Sequence, residues 1–477
     1  MDEELWQYYN DRRPSQHILN ARAETIEALT KAVNAYAQII CTGKSKHDRY
    51  QVATFGSTLV GSDEASSDLD VVVLDPAYET GWRPDIVWTK KPSAMYDIEK
   101  LSRFFQRRGF YNLEAIPKAR VPILSGRSAS TPSVHFDLSV NSRNGLFNSQ
   151  LIAEYAKVHP HVRPLLVLLK AWSRGNKLDA PAKLVQRGRG RQIGMPRPLS
   201  SYIMSNIVVA YMQHEGMLPN LQEPYVSPLF NEDDWSQTAL AGDNAKSAYD
   251  ILRRPPFAKK EHIWWSISRR DTNTRIPHDL RHLDADSAPV RAWIERRRRR
   301  MENSGEHERS LADTLRGFFR FFGRDFAYGL QVVSVRDGGI APRQRQPGWR
   351  SPDRFLAQLH RDLVYGAQLP RDGKIPSESL NLDPYRWLRE GDSREVDEDI
   401  ERETARLLAM STDVESFKSA QFVAIDPIFS EVNLGENFHN AFMKKFVGQC
   451  ARAENVFSTG LGIRELLATS SSGFVKR

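Results

Sequence analysis

The chain of 477 residues carries 67 Lys and Arg against 59 Asp and Glu, a net charge of +8, with 40% hydrophobic and 26% charged residues. That is the composition of a folded, mildly basic protein with a substantial core. Only Cys41 and Cys450 are present, too few for a disulfide framework or a four-cysteine zinc site, so a reducing compartment is the simplest expectation. The start, Met1-Asp2-Glu3-Glu4-Leu5-Trp6, has no secretory pattern, and apolar runs such as Leu165 to Leu169 fall far short of a bilayer span. An intracellular, cytoplasmic, monomeric protein with no membrane association is expected.

In chain order, Gln16 to Ile40 places Ile18, Leu19, Ile26, Leu29, Val33, Ala37 and Ile40 at near-helical spacing and predicts one amphipathic helix. After the polar stretch Lys44 to Arg49 the period shortens: Gln51 to Phe55, Leu69 to Asp75 and Val134 to Val140 read as strands around a helical piece from Ser93 to Phe105. From Leu151 onward the pattern is helical, with Val162 to Trp172, Ser200 to Met212 and Ser310 to Phe322 as apolar-rich helices. The fold class is α+β.

Three stretches read as insertions, at about 183–197, 233–307 and 353–415. The first holds Arg187-Gly-Arg-Gly-Arg191, and glycine-interrupted arginines favour a flexible loop in which Arg187, Arg189 and Arg191 are candidate RNA contacts. The second includes the run Arg296 to Arg300, which reads as a solvated helix face or an excursion from the core, with an RNA contact as the alternative.

The segment with the most chemistry is Phe55-Gly56-Ser57-Thr58-Leu59-Val60-Gly61-Ser62, followed by Asp68-Leu69-Asp70 and an apolar strand. A strand ending in Gly-Ser before a helix start offers amides and a hydroxyl to a polyphosphate. Asp68 and Asp70, two apart, project from one strand face as oxygen ligands suited to Mg²⁺. In Val134 to Val140 the apolar residues alternate and leave Asp137 opposite Phe136 and Leu138, the natural third carboxylate. Three such carboxylates suit two metal ions that orient a nucleoside triphosphate and activate an attacking hydroxyl.

Gly56-Ser57, Asp68-x-Asp70 and Asp137 resemble the signature of the DNA-polymerase-β nucleotidyltransferase superfamily. Val167 to Trp172, Leu199 to Tyr202, Leu315 to Phe322 with Val332 to Arg336, and Ile425-Asp426-Pro427 with Asn433-Leu434-Gly435 resemble one branch, the template-independent RNA nucleotidyltransferases: terminal uridylyltransferases and cytoplasmic poly(A) polymerases. The resemblance implies a polymerase-β-like catalytic domain with a mixed sheet, about 48–150. A mainly helical, poly(A)-polymerase-associated central domain would comprise 1–47 and 151–477.

It implies two Mg²⁺ or Mn²⁺ ions on Asp68, Asp70 and Asp137, and partners that are a ribonucleoside triphosphate and an RNA 3′ end. Gly56 and Ser57 would hold phosphates, Asn148 the ribose 2′-hydroxyl with Ser149 nearby, Lys170, Arg174 and Ser201 the phosphates, and Tyr202 would stack beneath the base. On local pattern alone Lys170 also fits a snorkelling helix lysine, Tyr202 a core aromatic and Asn148 a helix cap.

Base choice departs from the uridylyl pattern. Asp426-Pro427-Ile428-Phe429-Ser430-Glu431-Val432-Asn433 puts Phe429 and Val432 where a Glu and a uracil-favouring His usually stand. Val432 offers no hydrogen bond to a base edge. Asp426 reads either as a base contact or as a turn residue, and Asn433-Leu434-Gly435 keeps the uridylyl context. Fungal CutA-type enzymes, which add C and U, suit a missing uracil reader. CTP or UTP addition is the expectation, with AMP addition or an inactive RNA-binding scaffold as alternatives.

Overall fold

A computed structural model describes residues 1–40, 50–76, 94–117, 119, 121–179, 183–185, 192–194, 199–223, 263–267, 275–328, 331–342, 422–428, 433–435, 438 and 440–467. The chain forms two compact units, Asp2–Leu168 with Ala241–Asp286, and Leu169–Leu240 with Ser287–Arg477.

The first unit holds helices α1 (Asp2–Arg12) and α2 (Gln16–Ile40), then strand β1 (Gln51–Thr54), the short helix α3 (Gly56–Val60) and strand β2 (Leu69–Leu74). Helix α4 (Ile98–Gln106), strands β3 (Tyr111–Ile116), β4 (Ile123–Arg127) and β5 (His135–Val140), and helix α5 (Asn144–Val158) follow. Helix α6 (Val162–Gly175) contains the division between the units.

The five strands form one sheet in the order β1-β2-β5-β4-β3. Strands β2 and β5 pair in parallel and the other neighbours are antiparallel. A central parallel pair must be covered on its faces, and Val71, Val72 and Val73 are accordingly all buried. One cover is α2, whose Ala21, Leu29, Ala32, Val33 and Tyr36 form a stripe at helical spacing and join Leu69, Val71, Val73, Phe136 and Leu138 in one core. Helix α4 adds Ile98, Leu101 and Phe105.

This core departs from the expected division at residue 48. Residues 1–40 fold with the sheet, because the apolar stripe of α2 is what one sheet face needs for cover. Strands β3 and β4 were absent from the sequence reading. On β3 the side chains alternate between exposed and half-buried, as expected for an edge strand with little apolar signal. The predicted helix from Ser93 begins instead as a 3₁₀ turn, Ala94–Tyr96, and α4 starts only after Asp97, whose side chain caps it by accepting from Lys100 N at 3.0 Å.

The second unit is mainly helical, with α7 (Ser201–His214), α8 (Ala288–Ser304), α9 (Leu311–Arg320) and α10 (Asn440–Ser458) around a three-stranded sheet of β6 (Gln331–Ser334), β7 (Gly339–Pro342) and β8 (Ala424–Ile425). Its core is aromatic: Trp172 lies 4.9 Å from Phe319 between ring centroids, Phe318 4.9 Å from Phe322, and Phe422 stacks on Phe438 at 4.9 Å. Residues Lys183–Val185 pair antiparallel with Gln192–Gly194, so the expected basic loop is flanked by a short ladder. Arg187, Arg189 and Arg191 lie outside the described residues, as do 353–415.

Among the described residues no helix is long and apolar enough to cross a membrane. Leu29→Ala should lower stability by about 2–5 kcal/mol, the cost of a cavity at a fully buried leucine, measurable by chemical denaturation.

Candidate active site

The turn from β1 into α3 sets the local geometry. Phe55 N donates to Asp70 O at 3.1 Å, which ties the end of β1 to β2. Gly56 then takes φ of +65°, a left-handed conformation, and a Cβ there would collide with the Asp70 carboxylate. Its N–H donates to Ser149 Oγ at 2.7 Å, and Ser149 Oγ donates to Gly145 O at 2.6 Å. The Gly56 amide is therefore occupied, and the residue serves the site by its shape. Ser149, expected near the nucleotide, braces the turn against α5.

The adjacent Asn148 is buried, and its Oδ1 has no hydrogen-bond partner among the described residues. A buried acceptor left open is costly unless something supplies a donor.

In the parallel pairing of β2 with β5, Leu69 stands against Phe136 and Asp70 against Asp137. The second and third expected carboxylates are direct register partners on neighbouring strands. Asp137 also stands opposite Ser125 of β4. Asp68, just before β2, is exposed, and its Oδ1 lies 2.9 Å from His135 Nδ1, while His135 Nε2 lies 3.0 Å from Ser125 Oγ. Among the described residues no three His, Cys, Asp or Glu side chains converge as a preformed metal cage. The donor set fits a hard divalent cation all the same: carboxylate oxygens alone, on adjacent strands, two of them in register.

The sequence reading missed the anchor of the turn between α3 and β2. Arg22 of α2 is buried; its Nη1 pairs with the buried Asp63 carboxylate, and its Nη2 donates to Glu64 O at 2.9 Å and Ser67 O at 3.1 Å. A charged residue on the core side of a mainly apolar helix stripe is the available signal.

In the second unit, Lys170 and Arg174 lie one turn apart on α6, with Arg174 exposed. Ser200 caps α7 by accepting from Ile203 N, which leaves Ser201 exposed at the first turn. Tyr202 donates its hydroxyl to Asp426 Oδ2 at 3.0 Å. Burial, and then the neighbouring Asp426 charge, push its phenol well above the usual range, so it is a neutral donor. Asp426 is itself buried and accepts from Ile428 N at 3.0 Å, the turn geometry that the sequence left open.

Asn433 departs from expectation. Its Oδ1 accepts from Ala424 N and Gly435 N at 3.1 and 2.9 Å, and its Nδ2 donates to Phe422 O, so the side chain secures backbone beside β8. Val432 lies outside the described residues. The run Arg296 to Arg300 sits on α8: Arg297 donates to Gly216 O and to both oxygens of Glu308, while Arg298 and Arg299 pair with Glu295. The run thus lies on a helix face, one of the readings expected of it, and that face carries ion pairs.

Gly56→Ala should cost roughly 1–2 kcal/mol of left-handed strain in addition to the clash with Asp70, lowering the unfolding midpoint.

Comparison with known proteins shows what the chain is similar to. Residues 1–157 match the family model described as "Poly(A) RNA polymerase, mitochondrial-like, central palm domain", and residues 310–360 match "Cid1 family poly A polymerase". Poly(A) RNA polymerase GLD2 of Rattus norvegicus is 24% identical over 303 residues, which are 62% of this chain and 47% of that protein. Terminal uridylyltransferase 4 of Trypanosoma brucei brucei is 34% identical over 131 residues, 27% of this chain and 39% of that protein.

The chain thus spans about half or less of the length of these curated relatives. A solved structure of Cid1 with its short product ApU covers 98% of both chains at 14% identity with a TM-score of 0.53. A cytoplasmic RNA terminal U-transferase covers 99% of both at 16% identity with the same TM-score. In its palm segment, its associated segment and its α+β fold, the chain is thus similar to the template-independent RNA nucleotidyltransferases.

Proposed function

We propose that the protein transfers a nucleoside monophosphate from a ribonucleoside triphosphate to an RNA 3′ end, without a template and with release of pyrophosphate. The observation that carries this reading is the register of Asp70 against Asp137 beside the left-handed Gly56. Asp68, Asp70 and Asp137 would hold the metal. Two Mg²⁺ or Mn²⁺ ions, when bound, neutralise the triphosphate and favour ionisation of the attacking hydroxyl.

The chain's own groups supply the rest. Asp137 orients the RNA 3′-hydroxyl for in-line attack on the α-phosphorus: the new O–P bond forms as the bond to pyrophosphate breaks. The open Asn148 Oδ1 accepts from the ribose 2′-hydroxyl and so favours ribonucleotides. Lys170, Arg174, Ser57 and Ser201 contact phosphate, and Tyr202, its hydroxyl anchored on Asp426, offers a face for the base. RNA beyond its 3′ end is held by basic surface, with Arg187, Arg189 and Arg191 among the contacts.

The favoured nucleotide in this reading is CTP or UTP. Asn433-Leu434-Gly435 resembles the uridylyl context, and Phe429 and Val432 remove the usual pair that narrows the choice to uracil. The second reading is AMP addition, favoured by the 303-residue match to GLD2.

Purified protein incubated with labelled oligo(A) RNA, Mg²⁺ and each NTP in turn should extend the RNA with CTP or UTP. Extension with ATP alone would establish the second reading, and no extension with any NTP would sink both. Asp70→Asn and Asp137→Asn should each reduce extension to background with an unchanged circular dichroism spectrum. Wild-type rates in either would remove these carboxylates from the chemistry.

A further inference from the structure

We infer that Arg22 is a positioning residue of the carboxylate site: by gripping the turn between α3 and β2 at three points, it sets how Asp68 enters the site. The inference rests on the reading of Asp68, Asp70 and Asp137 as the metal-holding set. Arg22 lies on the core-facing stripe of α2 and is 3% exposed. One side of its guanidinium pairs with the Asp63 carboxylate, and Nη2 donates to the carbonyls of Glu64 and Ser67 at 2.9 and 3.1 Å.

The Ser67 carbonyl belongs to the peptide that continues into Asp68. Fixing that peptide plane fixes the position of the Asp68 Cα, from which the side chain departs. Other hydrogen bonds of the turn are local or reach α1: Glu64 N donates to Ser67 Oγ at 2.9 Å, Ser67 N to Glu64 O at 3.0 Å, and Ala65 N to Arg12 O at 3.1 Å.

The chemistry of the fork makes the assignment specific. A guanidinium presents several N–H donors in one rigid plane, so a single side chain can bind a carboxylate and two carbonyls together. A lysine at the same place could neutralise Asp63 but offers a compact ammonium with no planar fork. A buried ion pair that only held α2 on the sheet would need Asp63 alone. The two carbonyl bonds are the part directed at the turn.

The test separates positioning from stability in the full chain. Removing one partner of a buried ion pair leaves an uncompensated charge and destabilises strongly, whereas replacing both with apolar residues of similar volume is often neutral. The double variant Arg22→Met, Asp63→Leu should therefore melt close to wild type. The Arg22→Lys variant keeps the charge and serves as a second, independently folding case.

Mn²⁺ binding, followed by electron paramagnetic resonance, should weaken on the order of ten- to a hundredfold in both variants, the usual effect of removing a residue that orients a ligand. Asp70→Asn provides the control for loss of a ligand itself. Wild-type Mn²⁺ affinity in a folded Arg22 variant, beside weakened binding in Asp70→Asn, would overturn the positioning role and leave the carboxylate reading standing. Equal binding by wild type and Asp70→Asn would overturn that reading, and the role of Arg22 with it.

Discussion

The parallel pairing of β2 with β5 is the constraint on which the site depends. Side chains on a strand alternate between faces, so a slip of one residue would send either Asp70 or Asp137 to the opposite side of the sheet. Leu69 against Phe136 and Val71 against Leu138 flank the acidic pair, and all four are fully buried. Moving the register would bring apolar side chains out of the core on both sides of the aspartates. The core that stabilises the unit is thus the same device that holds two carboxylates side by side, whose mutual repulsion would otherwise separate them.

Polar networks pin the central pair at both ends. Beyond the C-terminal end of β2, the buried Asp75 carboxylate accepts from Tyr96 at 2.7 Å, while Asn141 Oδ1 accepts from Asp75 N and Arg143 Nε at 3.3 and 3.0 Å. At the N-terminal end, Arg22 holds the turn before Asp68, and Ser149 holds the turn at Gly56. Buried polar groups earn no stability unless satisfied, and when satisfied they fix one arrangement among many of similar apolar burial. The exposed carboxylate of the three is Asp68, whose Oδ1 lies 2.9 Å from a ring nitrogen of His135.

Much of this was legible because it is local. The period-two strands, the helix Gln16–Ile40 and the Asp-x-Asp spacing depend on residues a few positions apart, and each was found with bounds close to those observed. What escaped depends on contacts distant in sequence. The acceptors of Arg22 lie 41, 42 and 45 residues away, so an arginine on a helix stripe signals a buried charge but not the groups it binds. Ser149 reaches Gly56 across 93 residues. Asn433 fails differently: its motif was recognised, but whether a short polar side chain faces a ligand or its own backbone is decided by chain geometry that composition does not carry. Strand β3 was missed because an edge strand buries little and so carries little pattern, and the interior strand β4 because Ile123–Arg127 is short, with a Ser, a Gly and an Arg among its five residues.

On the proposed function, in which Tyr202 stacks beneath the base, its pairing with Asp426 bears on how that base is chosen. Stacking on an aromatic face accepts any base, since every base has one. Anchoring the phenol on a buried carboxylate makes that face rigid without making it selective. Asp426 meanwhile accepts from Ile428 N through one oxygen and from Tyr202 through the other, so its placement is governed by the protein on both sides. Discrimination must then come from groups at the base edge, where rejecting a wrong base requires a donor or acceptor that would be left unpaired. In the proposed pocket Val432 supplies neither. On the proposed function, a firm platform beneath the base without a hydrogen-bonding reader from Val432 would select by size and desolvation, and these separate substrates by far smaller factors than a dedicated hydrogen bond does.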